Sequence, residues 1–223
     1  MTARVPDDPT GRDAAIHVLR GGGVVAVPTD TVYGIAVALD TPGGIERLFA
    51  AKQRPPDKAI ALLLADVEQA SAIGELTASA ATLARAFWPG GLTLVVARRA
   101  DVPLPAALTG GALAPGAIPT VGLRVPDHDA PRALAGALGP LPTTSANRSG
   151  EPELRDADAI EAELGTSLDL ILDGGPALGG PASTVVDCTG PEPVIRRAGA
   201  IPEERIQAIL DQAFGRGSSG RSR

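Results

Sequence analysis

The amino-acid sequence predicts an α/β fold in one domain. Uninterrupted apolar runs such as residues 24–27 and 60–64 have the length and composition of strands that are buried on both faces. Between these runs lie segments in which apolar residues recur at helical spacing, as Ile45, Leu48 and Phe49 do. Strands that alternate with helices, without an internal repeat, are typical of α/β proteins.

Helix-ending glycines and helix-capping residues mark the limits of individual helices. Gly21, Gly22 and Gly23 end a first helix that begins near Arg12, and Asp66 is a good N-cap for a helix that follows the third apolar run. Besides the helix after Asp66, the predicted helices cover residues 12–20, 44–51, 78–87, 130–138, 156–164 and 201–214. The predicted strands cover residues 24–27, 35–39, 60–64, 92–96, 120–125, 141–144, 170–172, 183–187 and 194–197.

The segment 101–119 separates two of these strands and has no periodicity. It consists mainly of Pro, Gly and Ala, and Asp101 is its only charged residue. A segment of this length and composition is typical of a mobile functional loop, so we predict a lid that becomes ordered over the site when ligands bind. We expect the folded domain to span residues 12–210, with flexible termini at residues 1–11 and 215–223.

Composition excludes several classes of function. The formal net charge is -6, whereas a broad nucleic-acid surface needs a cationic face. Three Phe, one Tyr and one Trp are too few for a platform that stacks single-stranded bases. Cys188 is the single cysteine and forms no metal-ligand spacing with His17 or His128. No apolar run reaches about 18 residues, so we expect no membrane segment and a cytoplasmic location.

Two kinds of basic residue stand out. Lys52 and Lys58 are the only lysines of the chain, and they flank Arg54. This cluster fits an anion site, but it fits a solvated charged surface equally well. Arg124 occupies an otherwise apolar strand, where a buried cation needs an anionic partner. That partner is either an internal carboxylate or a ligand, and the sequence leaves both open.

Polar residues follow several predicted strands. Thr29, Asp30 and Thr31 follow the first apolar run, and Ser145 and Asn147 follow a later one. Because ligands of open α/β sheets bind outside the strand ends, we expect the pocket there. The same residues are also typical of turns and helix caps, so this alternative remains. The sequence contains no Walker A loop, no G-x-G-x-x-G and no G-x-S-x-G motif.

Seven segments, in order along the chain, together resemble the YrdC/TsaC family of threonylcarbamoyl-AMP synthases. They are PTDTVYG (28–34), KQRP (52–55), FWPG (87–90), LRVP (123–126), SANRSG (145–150), STVVD (183–187) and RAGAI (197–201). The resemblance covers nearly the whole chain and points to the short, single-domain type. It implies an open, twisted mixed sheet with flanking helices and a deep cationic cavity.

The resemblance also implies an activity. Members of the family are nucleotidyltransferases that form threonylcarbamoyl-AMP and pyrophosphate from L-threonine, bicarbonate and ATP, with Mg²⁺ arriving with ATP rather than in a protein-bound metal cage. The product serves the threonylcarbamoyl-adenosine (t6A) modification of tRNA, so tRNA or the downstream threonylcarbamoyl-transfer proteins are candidate partners. Two alternatives remain: a double-stranded RNA or tRNA-binding module without catalysis, and a carbamoyl-adenylate activity like that of hydrogenase-maturation proteins.

Individual roles follow from the same resemblance. Residues at the catalytic positions of the family are Lys52, Arg54, Ser145 and Asn147. Residues at positions that hold L-threonine are Thr31, Arg124, Thr143, Ser183 and Thr184. Residues at positions that hold ATP are Arg54, Lys58, Thr120, Ser145 and Arg197.

Overall fold

The computed structural model of the protein describes residues 2–53, 60–109, 118–177 and 180–215. The helices in these ranges are α1 (Pro9–Arg20), α2 (Gly44–Lys52), α3 (Val67–Ile73), α4 (Ala78–Phe87), α5 (Asp129–Leu138), α6 (Ala157–Leu164) and α7 (Glu203–Phe214). The strands are β1 (Ala3–Pro6), β2 (Val25–Val27), β3 (Gly34–Ala36), β4 (Ala61–Leu63), β5 (Gly74–Glu75), β6 (Leu92–Arg98), β7 (Thr120–Arg124), β8 (Leu141–Ser145), β9 (Leu170–Asp173), β10 (Thr184–Asp187) and β11 (Val194–Arg197).

Within the described residues all strands join one sheet, in the order β1, β9, β2, β3, β8, β4, β7, β6, β10, β11, with β5 paired to β6. The sheet is mixed: β9 is parallel to both β1 and β2, whereas β3 is antiparallel to both β2 and β8. Parallel pairing recurs between β4 and β7 and between β6 and β10. The predicted α/β class and mixed sheet are confirmed.

Both faces of the sheet are packed. Val24 and Ala26 belong to a core cluster that includes residues of α2, α4, α6 and α7, whereas Val25 and Val27 belong to a second cluster with α1 and α5. All four side chains are fully buried, which confirms the prediction that this strand is covered on both faces. The alternation follows from the two-residue period of a strand, whose successive side chains point to opposite faces.

The N-terminal segment differs from the sequence prediction. Residues 3–6, expected to be part of a flexible terminus, form β1, which pairs in parallel with β9 from Ala3↔Leu170 to Pro6↔Asp173. Asp8 then caps α1 by accepting a hydrogen bond from the Gly11 amide, and Pro9 occupies the first turn. The sequence does not predict β1, because an edge strand of this length has no apolar pattern of its own and is stabilised by pairing with β9. At the other end, residues 216–223 lie outside the described residues.

The segment between β6 and β7 also differs in part. Residues 110–117 of the predicted lid lie outside the described residues. The preceding part is anchored: Ala106–Leu108 form a 3-10 turn, and the Leu108 side chain is fully buried in the core. Leu104 and Ala107 pack against the same core. The composition of the segment predicts that it has little to bury and nothing to anchor it; the buried Leu108 shows that this prediction is wrong for its first part. The ordering of the loop on ligand binding stays a prediction.

We expect Leu108→Ala to lower the free energy of unfolding by about 2–5 kcal/mol, because it removes a fully buried side chain and leaves a cavity in the core. Urea unfolding followed by circular dichroism measures the change. Ile118→Ala is the matched control, since Ile118 lies near the other end of the segment and its side chain is 64% exposed. Equal stability of the two variants would contradict the anchoring role of Leu108.

Candidate active site

A cavity of about 280 Å³ lies on the sheet face against which α1 and α5 pack. Thr120, Gly122 and Arg124 of β7 line it, whereas the alternate residues Val121 and Leu123 belong to the core on the opposite face. The prediction that the pocket lies beyond the strand ends is therefore wrong for most of the cavity, which is lined mainly by residues of the strands themselves. The cavity extends across the face of the sheet: α1 packs mainly on β2 and β9, and α5 packs mainly on β4 and β8, whereas residues of β7, β6 and β10 also line the cavity.

The lining of this cavity is mainly apolar side chains and hydroxyl groups. Among the described residues its charged members are Arg124, which is buried, and Arg197, which is exposed. One wall needs a glycine: a Cβ on Gly34 would lie 2.7 Å from Cγ2 of Thr143 on the neighbouring strand. The close approach of β3 and β8 thus excludes a side chain at position 34.

Arg124 is held by three different groups. Its Nη2 donates to Oδ1 of Asp30 at 2.6 Å, its Nη1 donates to Oγ1 of Thr31 at 3.0 Å, and its Nε donates to the carbonyl oxygen of Gly90 at 3.0 Å. Burial lowers the pKa of the guanidinium, and Asp30 opposes that shift through its charge and its hydrogen bond. An arginine nevertheless stays protonated in proteins. Of the two alternatives that the sequence left open, the internal carboxylate exists, and the side chain also faces the cavity.

Hydrogen bonds fix the direction in which the Thr31 hydroxyl points. Oγ1 of Thr29 donates its single proton to the carbonyl oxygen of Val32 at 2.6 Å. In the 3.2 Å contact between the two hydroxyls, Thr31 must therefore be the donor and Thr29 the acceptor. Because Oγ1 of Thr31 donates its proton to Thr29 and accepts one hydrogen bond from Arg124, one of its lone pairs remains for a ligand. Thr31 can accept a hydrogen bond from a ligand amine or hydroxyl.

A second cluster joins the end of α2 to the end of β8. Nζ of Lys52 donates to the carbonyl oxygen of Ser145 at 2.6 Å and to its Oγ at 3.1 Å, and also to Oδ1 of Asn147 at 2.7 Å. The Ser145 hydroxyl donates to the same Oδ1 at 2.7 Å, so it too offers a lone pair to a ligand. Lys52 is 2% exposed and Asn147 is 6% exposed, whereas Ser145 lines the cavity. Lys52 and Asn147 thus lie behind Ser145.

The third cluster lies at the start of β10. Oγ of Ser183 is 2.8 Å from Oγ1 of Thr93, and Nη2 of Arg197 donates to both the carbonyl oxygen and Oγ of Ser183. Thr184 points away from this cluster. Its hydroxyl donates to the carbonyl oxygen of Ile201 and accepts from the Ile201 amide, so it joins β10 to the segment before α7.

A family model described as "Telomere recombination", covering Sua5, YciO and YrdC, matches residues 17–199 of this chain, which is well over half of its length. The chain belongs to the Sua5/YciO/YrdC family. The resemblance found in the seven sequence segments is thereby confirmed.

Several relatives in this family are named for the same activity. The threonylcarbamoyl-AMP synthase of Bacillus subtilis is 35% identical over 206 residues, which are 92% of this chain and 57% of that protein. The threonylcarbamoyl-AMP synthase of Vibrio vulnificus is 39% identical over 163 residues, 71% of this chain and 83% of that protein. The crystal structure of Pyrococcus abyssi Sua5 complexed with L-threonine superposes with a TM-score of 0.82 at 32% identity, covering 94% of this chain and 60% of that one. The chain thus spans a little over half of the Bacillus subtilis protein.

The fold brings most of the residues with family-derived roles to one cavity. Lining residues are Thr31, Thr120, Arg124, Thr143, Ser145, Ser183 and Arg197. Lys52 and Asn147 are not among the described residues that line the cavity, but both contact Ser145, which does. Thr184 is fully buried and does not line the cavity, and its hydroxyl is engaged by Ile201. Arg54 and Lys58 lie outside the described residues. The roles of all these residues in binding and catalysis stay predictions.

Sequence reasoning missed several lining residues of this family member. Thr93 lines the cavity and contacts Ser183, but inside an apolar run it has no distinguishing sequence signal. Tyr33 also lines it, and its hydroxyl donates to the Gly175 carbonyl and accepts from the Gly174 amide. Burial raises the pKa of Tyr33 to about 12. Its neutral hydroxyl links the loop after β2 to the loop after β9. Its position in the segment 28–34 was the available signal.

The described residues also bear on metal binding and on membrane insertion. No group of three or more His, Cys, Asp or Glu side chains within them is placed to hold a metal ion. None of the helices in the described ranges is both long and apolar enough to cross a membrane.

Proposed function

We propose that this chain is an L-threonylcarbamoyladenylate synthase, which forms threonylcarbamoyl-AMP and pyrophosphate from L-threonine, bicarbonate and ATP. The observation that carries the proposal is the buried Arg124, held by protein groups on three nitrogens yet facing a cavity whose residues match the family motifs. Relatives named for this activity, and one relative crystallised with L-threonine, support it.

The amino acid is proposed to bind at Arg124. A guanidinium has five N–H bonds, and three of those of Arg124 are occupied by groups within the described residues. One N–H therefore remains on each terminal nitrogen, which suits a carboxylate bound through both of its oxygens. Thr31 lies beside it with a lone pair that can accept from the amine or the hydroxyl of L-threonine.

The nucleotide is proposed to bind nearer the mouth of the cavity. Arg197 is exposed there and lines the cavity together with Thr120 and Ser145. A solvated arginine suits a polyphosphate, whose charge would cost much more to bury than that of one carboxylate. Arg54 and Lys58 are proposed to add two cations to this end. Mg²⁺ would accompany ATP and supply further charge neutralisation.

The chemistry proposed for this site is positioning and charge compensation. The amine of threonine attacks the carbon of bicarbonate and forms a carbamate with loss of water. A carbamate oxygen then bonds to the α-phosphorus of ATP, and the bond from that phosphorus to pyrophosphate breaks. Both reactants of the second step are anions, so fixed cations in a partly dry site lower their repulsion. No covalent nucleophile is needed; Cys188 is buried, and burial raises the pKa of its thiol to about 12.

Pyrophosphate release tests the proposal. We expect release by the purified chain only when L-threonine, bicarbonate and ATP are all present, together with a product of the mass of threonylcarbamoyl-AMP. Release that does not depend on L-threonine would overturn the proposal. Salt-dependent tRNA binding without pyrophosphate release would instead support the RNA-binding alternative, which the net charge of -6 does not favour. The tRNA modification pathway, its transfer proteins and a cytoplasmic location remain part of the proposal.

A further inference from the structure

Asp30 does not line the cavity itself, but it binds Arg124, which does. Its Oδ1 accepts from Nη2 of Arg124 at 2.6 Å, and the two side chains are only 15% and 7% exposed. No family-derived role was assigned to this carboxylate, although it lies between Thr29 and Thr31 in the most recognisable segment of the chain. A nearly buried carboxylate needs a function that offsets its desolvation.

The charges around Arg124 explain what Asp30 compensates. Burial disfavours the charged guanidinium, and the positive charge of Arg197 disfavours it further. The carboxylate of Asp30 opposes both effects. A buried cation without a counter-charge is costly, and its side chain would adopt whichever arrangement reduces that cost.

The geometry around Arg124 explains what Asp30 orients. The planar guanidinium contacts Gly90 through Nε, Thr31 through Nη1 and Asp30 through Nη2, so each nitrogen has one protein acceptor. Asp30 is the only charged acceptor of the three, so its hydrogen bond is also an ion pair and the strongest of them. Without it, the whole guanidinium could reorient through the side-chain torsions and turn its remaining N–H groups away from the cavity.

We propose that Asp30 is a positioning residue, which holds the Arg124 guanidinium so that one N–H of each terminal nitrogen faces the carboxylate of the amino-acid substrate. Asp30 touches neither substrate. It sets the affinity for the amino acid through Arg124 and leaves the nucleotide end of the cavity unaffected. This inference rests on the proposed function for the identity of the amino acid.

Isothermal titration of the whole chain with L-threonine and, separately, with ATP tests the inference. We expect Asp30→Ala to weaken L-threonine binding by about tenfold, the size of one charge-assisted hydrogen bond, with ATP binding unchanged. Asp30→Asn keeps an oxygen acceptor at the same place but removes the charge, so it should lose less affinity for L-threonine than Asp30→Ala does. Asp7→Ala is the matched control, because Asp7 binds Arg12 at 2.6 Å with similar burial, but Arg12, unlike Arg124, does not line the cavity.

Each outcome of these titrations either supports or overturns the inference. Equal losses for both ligands in Asp30→Ala, or unchanged L-threonine binding, would overturn the inference. If Asp30→Ala does not fold, Asp30→Asn decides alone: weaker L-threonine binding with unchanged ATP binding supports the inference, and unchanged L-threonine binding or equal losses for both ligands overturn it. Wild-type chain that binds L-threonine but releases no pyrophosphate would refute the proposed function while leaving this comparison intact. Wild-type chain that binds no L-threonine would refute both.

Discussion

Lys52→Met is expected to reduce the turnover number for pyrophosphate release by about 100-fold, a loss comparable to removal of one preorganised donor from an active site. Methionine retains the apolar stem but removes the ammonium that donates to Ser145 and Asn147. The Ser145 hydroxyl would then lose one of the two groups that fix its direction. Steady-state pyrophosphate release at saturating substrates measures the effect.

The same substitution should also affect folding. The acceptors on Ser145 and Asn147 are buried or half-buried, and leaving them without the lysine donor should lower the free energy of unfolding by about 1–3 kcal/mol. The assay is therefore run at a temperature at which the variant is folded by circular dichroism. Glu46→Gln is the control, because Glu46 is exposed on the same helix. Near-normal turnover of Lys52→Met would mean that Ser145 needs no support from Lys52.

Arg124→Lys is expected to weaken L-threonine binding by about 100-fold, roughly the free energy of a bidentate, charge-assisted contact. Lysine keeps the charge and can reach Asp30, but one ammonium cannot reproduce a planar fork that also contacts Gly90 and Thr31. ATP binding should change much less, since Arg197 lies at the other end of the proposed site. Titration with each ligand separately measures the difference.

The control for this variant is Arg12→Lys. Arg12 also binds an aspartate at 2.6 Å and is half-buried, but it lies on α1 outside the cavity. Parallel losses of L-threonine and ATP affinity in Arg124→Lys would show that Arg124 acts as a structural partner of Asp30. A loss confined to L-threonine would support direct contact with the carboxylate.

Local pattern was sufficient for the fold class and for most elements. The apolar run of β2 predicts a strand covered on both faces, and each of its residues is fully buried. The spacing of Ile45, Leu48 and Phe49 predicts α2, and all three pack into the core. These predictions succeed because helix and strand periods are properties of neighbouring residues, so a short window contains the whole signal.

Part of the cavity was also predictable from sequence. Motif resemblance selected Thr31, Arg124, Ser145 and Ser183, and the fold brings their side chains to one cavity. The same resemblance selected Thr184, which the strand period turns to the opposite face from Ser183. A motif identifies a segment, whereas the face on which each of its side chains lies depends on the pairing and twist of the sheet.

Only the tertiary structure decided which groups meet. Asp30 and Arg124 are 94 positions apart, and Lys52 and Asn147 are 95 apart, so no local pattern can report either contact. The pairing of β1 with β9 and the burial of Leu108 are long-range contacts of the same kind. The sequence by itself determined the class of the fold, the family and the side chains available for chemistry. The sheet order and the packing of α1 and α5 decided where the cavity lies, because they determine on which part of that sheet face the cavity is left and which buried charges find a partner.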